Sequence, residues 1–446
     1  MESTNAIPTS AVAPSHAGIN VRKLFVLCCL CLATTSMSFA LRTSIASDLK
    51  TELFDPINPL TSATMVGNVL SYAFLGFAFW VFLGSAMVDA IGMRNMTGMC
   101  GLSYIVGPLL VIGADRLASG PGAATIVGIG MFINGFGWGC SETVINPLTT
   151  AIYPEDKVHR LNVLHAWWPF GMIVGGLLGY GASKIGLGWR VEFGLLLIPA
   201  VGILVLLMGT TFPKTERVAA GVTTTDMYKE ALRPGFILWF LAMFLTSAAE
   251  LAPGQWVDLS LSNTVGMRGI LLQVYVAGLM FVMRHFAGTM VHKLSSVGLL
   301  FFSCLLASVG LFALSNANSP VTGFLTATIW GTGVCYMWPT MLASVSERYP
   351  KGGAFLMGLV GSAGSLSIYF VLPQMGKIFD DAKIKAAGSP EAYKALTDAA
   401  RTAIDNAAAA QSFRVVAILP AILLIVFGGI WLRDKSKGGF KPERLV

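Results

Sequence analysis

Apolar segments of roughly 20 residues recur along this 446-residue chain, with short polar stretches between them. A helix of that length crosses a hydrocarbon core about 30 Å thick. The pattern predicts twelve membrane-spanning helices, at residues 24–45, 62–87, 96–115, 123–152, 161–182, 190–211, 235–256, 269–291, 296–315, 320–343, 354–376 and 412–433. The predicted fold class is therefore an all-α membrane protein embedded in a lipid bilayer.

Composition and charge support this class and exclude another. Only 12% of the residues are charged, against about 25% in an ordinary soluble domain. The net charge of +7 could suggest a nucleic-acid partner, but the basic residues are distributed by side of the membrane. If the N-terminus is cytoplasmic, the short outer loops carry only Lys50, Arg116, Lys184, Arg190 and Arg268. This positive-inside bias predicts that both termini are cytoplasmic, and it argues against a nucleic-acid partner. A plasma-membrane location is expected because the N-terminus is not of an organelle-targeting type.

The most hydrophilic stretch between the spans in the middle of the chain, 212–234, divides them six and six. The predicted organisation is a cytoplasmic tail at 1–20, a first half at 21–211, a linker at 212–234, a second half at 235–433 and a second tail at 434–446. A long outer loop is predicted at 379–411, containing a helix that Ser389 caps and Pro390 begins. The last span could equally extend outwards into this region.

The two halves share an order of features. A charged residue five positions after a glycine follows both the second and the eighth span. Pro147 in the fourth span corresponds to Pro339 in the tenth, and the glycine series from Gly171 in the fifth corresponds to the series from Gly358 in the eleventh. Small residues at such spacing let helix backbones approach closely. The features together predict a six-plus-six repeat, which is common among transporters.

An ionisable side chain within a span costs several kcal/mol unless it is paired or faces water, so each is a candidate for function. Glu142 lies about ten residues, or roughly 15 Å, from the inner end of the fourth span, at mid-bilayer. Asn146 follows one turn later on the same face. We predict that Glu142 is reversibly protonated or contacts a substrate. The alternative is a hydrogen bond that only packs helices together.

The seventh span contains a second candidate, Glu250, followed by Pro253, Gln255 and Trp256. Proline is expected to break the outer part of this helix and free backbone groups to face a cavity. An amide next to an aromatic ring is the makeup of a sugar site. The same residues could instead mark an outer helix end that grades into the loop.

Other polar and aromatic residues are candidates either for the substrate cavity or for a structural role. Arg42, near the outer end of the first span, could reach the interface, pair with a buried carboxylate or bind an anionic substrate. At the start of the fifth span, His165 could carry protons or could be a packing residue. Trp168 could form a stacking platform or could belong to the interfacial aromatic belt. Trp338 in the tenth span is a cavity aromatic or a core residue.

Three charged residues are candidates for gating. Asp89 and Arg94 belong to the inner loop after the second span, where a charge network that locks helix ends is expected. Arg284 lies about two turns from the inner end of the eighth span, and gating or packing on the cytoplasmic side is favoured over substrate contact.

The loop after the second span resembles a known family motif. Its pattern, Gly84-x4-Asp89-x2-Gly92-x-Arg94, is similar to the sequence between helices two and three of the major facilitator superfamily. Within that superfamily, ETVINP at 142–147 and RLN at 160–162 resemble motifs of the fucose–galactose–glucose symporters, as do the spacings from Glu250 in the seventh span and Arg284 in the eighth.

The resemblance implies alternating access and cation-coupled uptake of a monosaccharide, with Glu142 central and Asn146 beside it. Two positions depart from the family. His165 stands where the family has glutamine, and the first span carries Arg42 but no mid-span acid, unlike the proton-coupled fucose members. These departures leave room for a sugar acid or another organic anion as the substrate.

The leading hypothesis is a monomeric symporter of a monosaccharide or similar polar solute, coupled to protons or sodium. An organic-anion transporter of the same fold, with Arg42 binding the carboxylate, is the alternative. The chain has no H-E-x-x-H, G-x-S-x-G or Walker A motif, which argues against a membrane enzyme or an ATP-driven pump, and neither tail is long enough for a sensor domain. The seven cysteines lie within spans and lack metal-ligand spacing, so neither a metal nor an organic cofactor is predicted.

Overall fold

The computed structural model describes residues 18–153, 160, 163–213, 229–284, 287–349 and 353–439. The first half contains α1 (Val21–Ser44), α2 (Ser62–Ile91), α3 (Met93–Ile112), α4 (Pro121–Ile152), α5 (Trp167–Lys184) and α6 (Trp189–Leu207). The second half contains α7 (Pro234–Val265), α8 (Ile270–Arg284), α9 (Ala287–Leu314), α10 (Pro320–Val334 and Met337–Arg348), α11 (Gly353–Ala387) and α12 (Asp398–Ser436). Eight of these helices are, by length and composition, able to cross a membrane. Parts of the predicted tails and linker, and Leu161 and Asn162 of the RLN motif, lie outside the described residues.

The two halves pack their helices in the same way. In the first half α1 packs on α5, α4 packs on α2 and α3, and α6 packs on α3. In the second half α7 packs on α11, α10 packs on α8 and α9, and α12 packs on α9. Each contact therefore recurs six helices later, which is the repeat that the sequence predicts. The halves meet chiefly where α2 packs on α11 and α5 packs on α8.

Glycines allow the closest of these helix contacts. A side chain at Gly67 of α2 would overlap the backbone of α11 at Leu372, and one at Gly376 of α11 would overlap the backbone of α2 at Ala63. The series that begins at Gly171 has the same effect within the first half, between α5 and α1. Small residues thus bring backbones together where the bilayer provides little hydrophobic driving force for helix association.

The predicted break in the seventh span is wrong, because α7 continues through Pro253 to Val265. Proline has no N–H to donate to the carbonyl four residues earlier, which here is that of Ala249. The indole Nε1 of Trp330 in α10 donates to this oxygen instead, at 3.3 Å. A neighbouring helix satisfies the freed group, so the helix persists.

In the tenth span, by contrast, the helix is interrupted at Cys335 and Tyr336, four and three residues before Pro339. Pro339 cannot donate to the carbonyl of Cys335, and a new helical segment begins at Met337. The interruption leaves one carbonyl and the first N–H groups of the new segment free for other partners.

The predicted long loop at 379–411 is largely helical. α11 continues to Ala387, and α12 begins at Asp398, so the last span does extend outwards. The predicted cap is present, because Ser389 accepts a hydrogen bond from the N–H of Ala392 at 3.0 Å and Pro390 begins a short helix. We call the side of the molecule that carries this segment the loop face, and the side where α1 begins and α12 ends the terminal face.

The contact between α1 and α5 gives a test of the packing. A Cβ at Gly175 would lie 2.7 Å from the carbonyl oxygen of Met37, whereas a Cβ at Gly181 on the same helix has open space. We expect Gly175→Leu to destabilise the purified protein by about 1–3 kcal/mol because it forces the two helices apart. Thermal unfolding in detergent measures the effect, with Gly181→Leu as the matched control. Equal melting temperatures for the two variants would contradict the proposed close contact.

Candidate substrate and coupling site

A small cavity lies between the two halves. Its wall is formed by Phe39, Trp168 and Met172 of the first half and by Glu250, Leu251, Gly254, Gln273, Val276, Met280, Trp330 and Val334 of the second. The volume of about 20 Å³ is enough for one water molecule. A solute larger than one water molecule could therefore bind here only after the lining residues move apart.

Glu250 is the charged group of the wall, and the interruption of α10 holds it in place. Its Oε2 accepts a hydrogen bond from the backbone N–H of Trp338 at 3.1 Å. Trp338 is the second residue of the new helical segment, where N–H groups have no partner within the helix and the helix dipole favours negative charge. The predicted role of Trp338 as a cavity aromatic stays a prediction, because the observed contact with Glu250 is made by its backbone.

Arg284, at the end of α8, joins this arrangement from the other side. Its Nη2 lies 3.9 Å from Oε1 of Glu250, at the long end of an ion pair. Its Nε donates to the carbonyl of Cys335 at 3.2 Å, which is the acceptor that Pro339 leaves free. The interruption before Pro339 thus leaves two backbone groups free. The N–H of Trp338 donates to Glu250, and the carbonyl of Cys335 accepts from Arg284. The predicted gating residue lies next to the candidate site.

Gln273 of α8 is one residue of the wall that was not predicted from the sequence. It lines the cavity and is 2% exposed, and neither Nε2 nor Oε1 has a hydrogen-bond partner among the described residues. A buried amide without partners is costly, since it loses its hydrogen bonds to water. The sequence signal for this residue is an amide side chain within a largely apolar stretch, residues 270–283.

Aromatic rings cover both sides of the cavity. The ring of Trp168 lies 5.3 Å from that of Trp138 and 6.1 Å from that of Phe39, in tilted arrangements. Trp330 forms part of the opposite wall and is held by its bond to the carbonyl of Ala249. The prediction placed Trp168 at the site, but it did not identify Trp330.

Glu142, Asn146 and His165 form a hydrogen-bonded chain at the contact between α4 and the segment before α5. Asn146 Nδ2 donates to Glu142 Oε1 at 3.4 Å, and Asn146 Oδ1 lies 3.0 Å from His165 Nε2. This geometry requires the neutral imidazole to carry its proton on Nε2. Glu142 and Asn146 are half-buried and His165 is exposed, so the chain is accessible to water. None of the three residues lines the cavity itself.

The chain points across the contact between the halves. His165 of the first half lies within electrostatic range of Arg284 of the second half. Since Arg284 also faces Glu250, the side chains of Asn146, His165 and Arg284 lie between the two carboxylates. A change of charge at Glu142 would therefore alter the field at Glu250 without direct contact.

Gln255 and Trp256, which were predicted to belong to a sugar site, lie outside the cavity wall. Gln255 Nε2 donates to the carbonyl of Phe39 at 2.8 Å and to Oγ1 of Thr43 at 2.5 Å, so this amide joins α7 to α1. Trp256 is fully buried. Neither side chain lines the cavity, and their role in substrate binding stays a prediction.

Arg42 does not reach the membrane interface, because only 1% of the residue is exposed. Its guanidinium carbon lies 5.9 Å from the ring centre of Phe39 and 5.3 Å from that of Phe74. Cation–π contacts contribute about 0.5–2 kcal/mol each, less than the several kcal/mol that it costs to bury the charge. The residue forms none of the ion pairs found in the described part of the chain. It does not line the cavity.

The two remaining gating candidates lie at the turn between α2 and α3. Asp89 is in the last turns of α2, and its side chain lies outside the described part of the structure. Arg94 is exposed at the start of α3. Gly92 between them has φ of 87°, a conformation that L side chains rarely adopt, which explains the glycine in this motif. Their predicted role in gating stays a prediction.

The sequence analysis also missed a charged cluster that closes the loop face. Arg268 donates from Nη2 to the carbonyl of Ser44 and from Nη1 to Oγ of Ser183, both at 2.7 Å and both in the first half. Nη2 also lies 2.9 Å from Oδ2 of Asp258, which is fully buried. Burial raises the pKa of the nearby Asp48 carboxyl. The halves cannot separate at this face unless these bonds break.

The role of this cluster can be tested by removing the charge of Asp258. We expect Asp258→Asn to loosen the loop face, because Arg268 loses the charge that holds it against Ser44. The measurement is labelling of an Ile45→Cys variant with a membrane-impermeant thiol reagent, which should increase several-fold. Asp115→Asn is the control, because Asp115 pairs with Arg190 inside the first half. Unchanged labelling in Asp258→Asn would contradict the role of this cluster in closure.

Comparison with known proteins places this arrangement in a family. Sequence similarity to the curated relatives covers only part of the chain. The chain is 26% identical over 159 residues to "Myo-inositol transporter 1" of Saccharomyces cerevisiae and 22% identical over 204 residues to that of Candida albicans. These matches cover 35% and 45% of this chain, and only 24% and 36% of the relatives.

The solved structures that resemble this chain show the fold. A D-xylose–proton symporter superposes with a TM-score of 0.74 over 91% of this chain and 98% of its own, at 15% identity. A bacterial homologue of the human lysosomal transporter Spinster, in an inward-facing and unoccupied conformation, superposes with a TM-score of 0.72 over 94% and 99%, at 16% identity. A sequence model of the Major Facilitator Superfamily matches residues 24–371, which is most of the chain. The resemblance found in the loop after α2 is thereby confirmed at the level of the superfamily, and the chain belongs to the Major Facilitator Superfamily.

Proposed function

We propose that this protein is a secondary active transporter that carries a neutral, polyhydroxylated solute, such as a monosaccharide or a cyclic polyol, by alternating access. The observation that carries the proposal is the unpartnered amide of Gln273 in the cavity between the halves. A hydroxyl group both donates and accepts hydrogen bonds, so a sugar can satisfy both ends of this amide. Membership of the superfamily supports a transporter rather than an enzyme.

The other groups of the wall suit the same class of solute. The Glu250 carboxylate can accept from a hydroxyl, and the indole rings of Trp168 and Trp330 provide apolar surfaces for the faces of a sugar ring. The described wall contains no lysine or arginine side chain, and Glu250 would repel an anion. These features favour a neutral solute over the sugar acid that Arg42 suggested. The inositol and xylose transporters among the similar proteins support the same solute class.

The small size of the cavity supports alternating access. With about 20 Å³ of space, the site is too small for a sugar in this conformation. Access from the loop face requires release of Arg268 from Ser44 and Ser183, and access from the terminal face passes Arg284 and the exposed His165. Rocking of the two halves around the site would alternate between these openings.

Glu142 is proposed as the coupling residue and the proton as the coupling ion, with sodium as the alternative. Its hydrogen bond comes from the neutral amide of Asn146, whereas Glu250 faces a guanidinium. Glu142 is half-buried and belongs to a hydrogen-bonded chain that is accessible to water, as proton exchange requires. The distribution of basic residues supports an orientation with the terminal face in the cytoplasm, and we propose the plasma membrane as the location.

Substitution of Gln273 tests the substrate site. We expect Gln273→Leu to raise the KM for the transported solute by about 10- to 100-fold, because the hydroxyl groups lose two hydrogen bonds and meet an apolar group. Uptake of radiolabelled D-xylose, D-galactose and myo-inositol into proteoliposomes measures this change. Gln411→Leu on the exposed surface of α12 is the control. Wild-type protein that moves none of these solutes but moves D-galacturonate would contradict the neutral-solute assignment.

Substitution of Glu142 tests coupling separately from binding. We expect Glu142→Gln to abolish accumulation of the solute under an imposed pH gradient, because the amide cannot take up or release a proton. Exchange of labelled for unlabelled solute at equal pH should persist, since the cavity wall is unchanged. Accumulation equal to that of the wild type would contradict the role of Glu142, and a dependence on an imposed sodium gradient alone would identify sodium as the ion.

A further inference from the structure

Arg42 is a buried cation with two donor atoms that have no acceptor among the described residues. Its Nε and Nη1 are inaccessible to solvent and make no hydrogen bond to any described residue. Arginine stays protonated in proteins, so this position cannot lose its charge by releasing a proton. The rings of Phe39 and Phe74 face the guanidinium but offer it no oxygen. Two donor atoms of Arg42 and its positive charge therefore lack a partner among the described residues.

A second unpartnered donor belongs to the same part of the first half. Ser38, one helical turn before Arg42 on α1, donates from Oγ to Oδ1 of Asn134 on α4 at 2.6 Å. The Nδ2 of Asn134 is buried and has no partner among the described residues. Residues four apart lie on the same face of a helix, so Arg42 and Asn134 border the same region between α1 and α4.

The third side of this region is formed by α3. Tyr104 lies within electrostatic range of Arg42, and its hydroxyl donates to Oγ1 of Thr35 at 2.9 Å. No carboxylate of the described residues pairs with Arg42. Glu142 follows Asn134 on α4 by eight residues, or about 12 Å along the helix. The region therefore has unpartnered donors from two helices and no negative side chain to receive them.

We propose that a small monovalent anion binds between α1, α3 and α4, held by the guanidinium of Arg42 and the amide of Asn134. Charge-assisted hydrogen bonds from a guanidinium suit this ligand, and an anion offsets the cost of the buried cation. The site is separate from the cavity between the halves, whose wall does not include Arg42.

Phe39 connects the two sites. Its ring lines the cavity and also faces the guanidinium of Arg42 at 5.9 Å. An anion that fixes Arg42 would thus also fix one wall of the cavity. The anion could be inorganic, such as chloride, or it could be the carboxylate of an acidic solute, since both offer one negative charge to the same donors.

The test is the melting temperature of the purified full-length protein in detergent, which does not depend on transport. Chloride replaces the larger anion isethionate at constant ionic strength, and D-galacturonate replaces it in a parallel series. We expect a saturable rise of several degrees with chloride for the wild type. A rise with galacturonate and none with chloride would support the site and assign it to the carboxylate of a solute.

Two variants and one control locate the effect. Arg42→Met, which keeps a long apolar side chain, should lose the anion dependence and melt in isethionate at or above the wild-type temperature, because it removes a buried cation. Asn134→Ala should raise the half-saturating chloride concentration about tenfold, the loss expected for one hydrogen bond to an anion. Arg414→Met changes an exposed arginine on α12 and should keep the wild-type dependence.

Two results would overturn the proposal. One is a wild-type melting temperature that is the same in chloride, isethionate and galacturonate at every concentration. The other is an anion dependence that Arg42→Met retains in full. The first measurement uses only the wild-type protein, so the proposal can fail even if a variant does not fold. Neither result bears on the transport of neutral solutes, which the Gln273 variant tests.

Discussion

The candidate site depends on one constraint, which is that backbone polar groups inside a membrane need partners. Pro253 and Pro339 each leave a carbonyl without its helical donor, and each carbonyl is satisfied by a side chain of another helix. Trp330 serves the first and Arg284 serves the second. Both of these residues lie at the site as a consequence. The interruption before Pro339 also exposes the N–H that holds Glu250.

The same constraint explains why the two carboxylates of the site differ. Glu250 receives an N–H from a helix start and faces a guanidinium. Glu142 receives only the neutral amide of Asn146 and belongs to a hydrogen-bonded chain that is accessible to water. Glu250 lines the cavity, where it can contact a solute, and Glu142 lies outside it. His165 and Arg284 place them in electrostatic contact across the two halves.

Closure of the molecule is also maintained by polar groups. At the loop face, Arg268 joins the halves through Ser44 and Ser183, and the buried Asp258 holds it there. The α1 helix carries both Ser44 of this cluster and Arg42 of the proposed anion site, two residues apart. Movement of α1 during opening would therefore act on the cluster and on the anion site together.

Much of the architecture follows from the sequence, because a bilayer imposes a length on apolar segments and a repeat can be recognised by its order. The chain from Glu142 to Asn146 could also be predicted, since residues four apart share a helix face whatever the helix packs against. Gln273 and Trp330 could not be identified in this way, because only the packing of α8 and α10 against α7 decides which polar groups face the cavity. The continuity of α7 through Pro253 and the burial of Arg42 have the same origin. In each case the deciding partner, Trp330 or the ring of Phe74, is distant in sequence and close only in the folded structure.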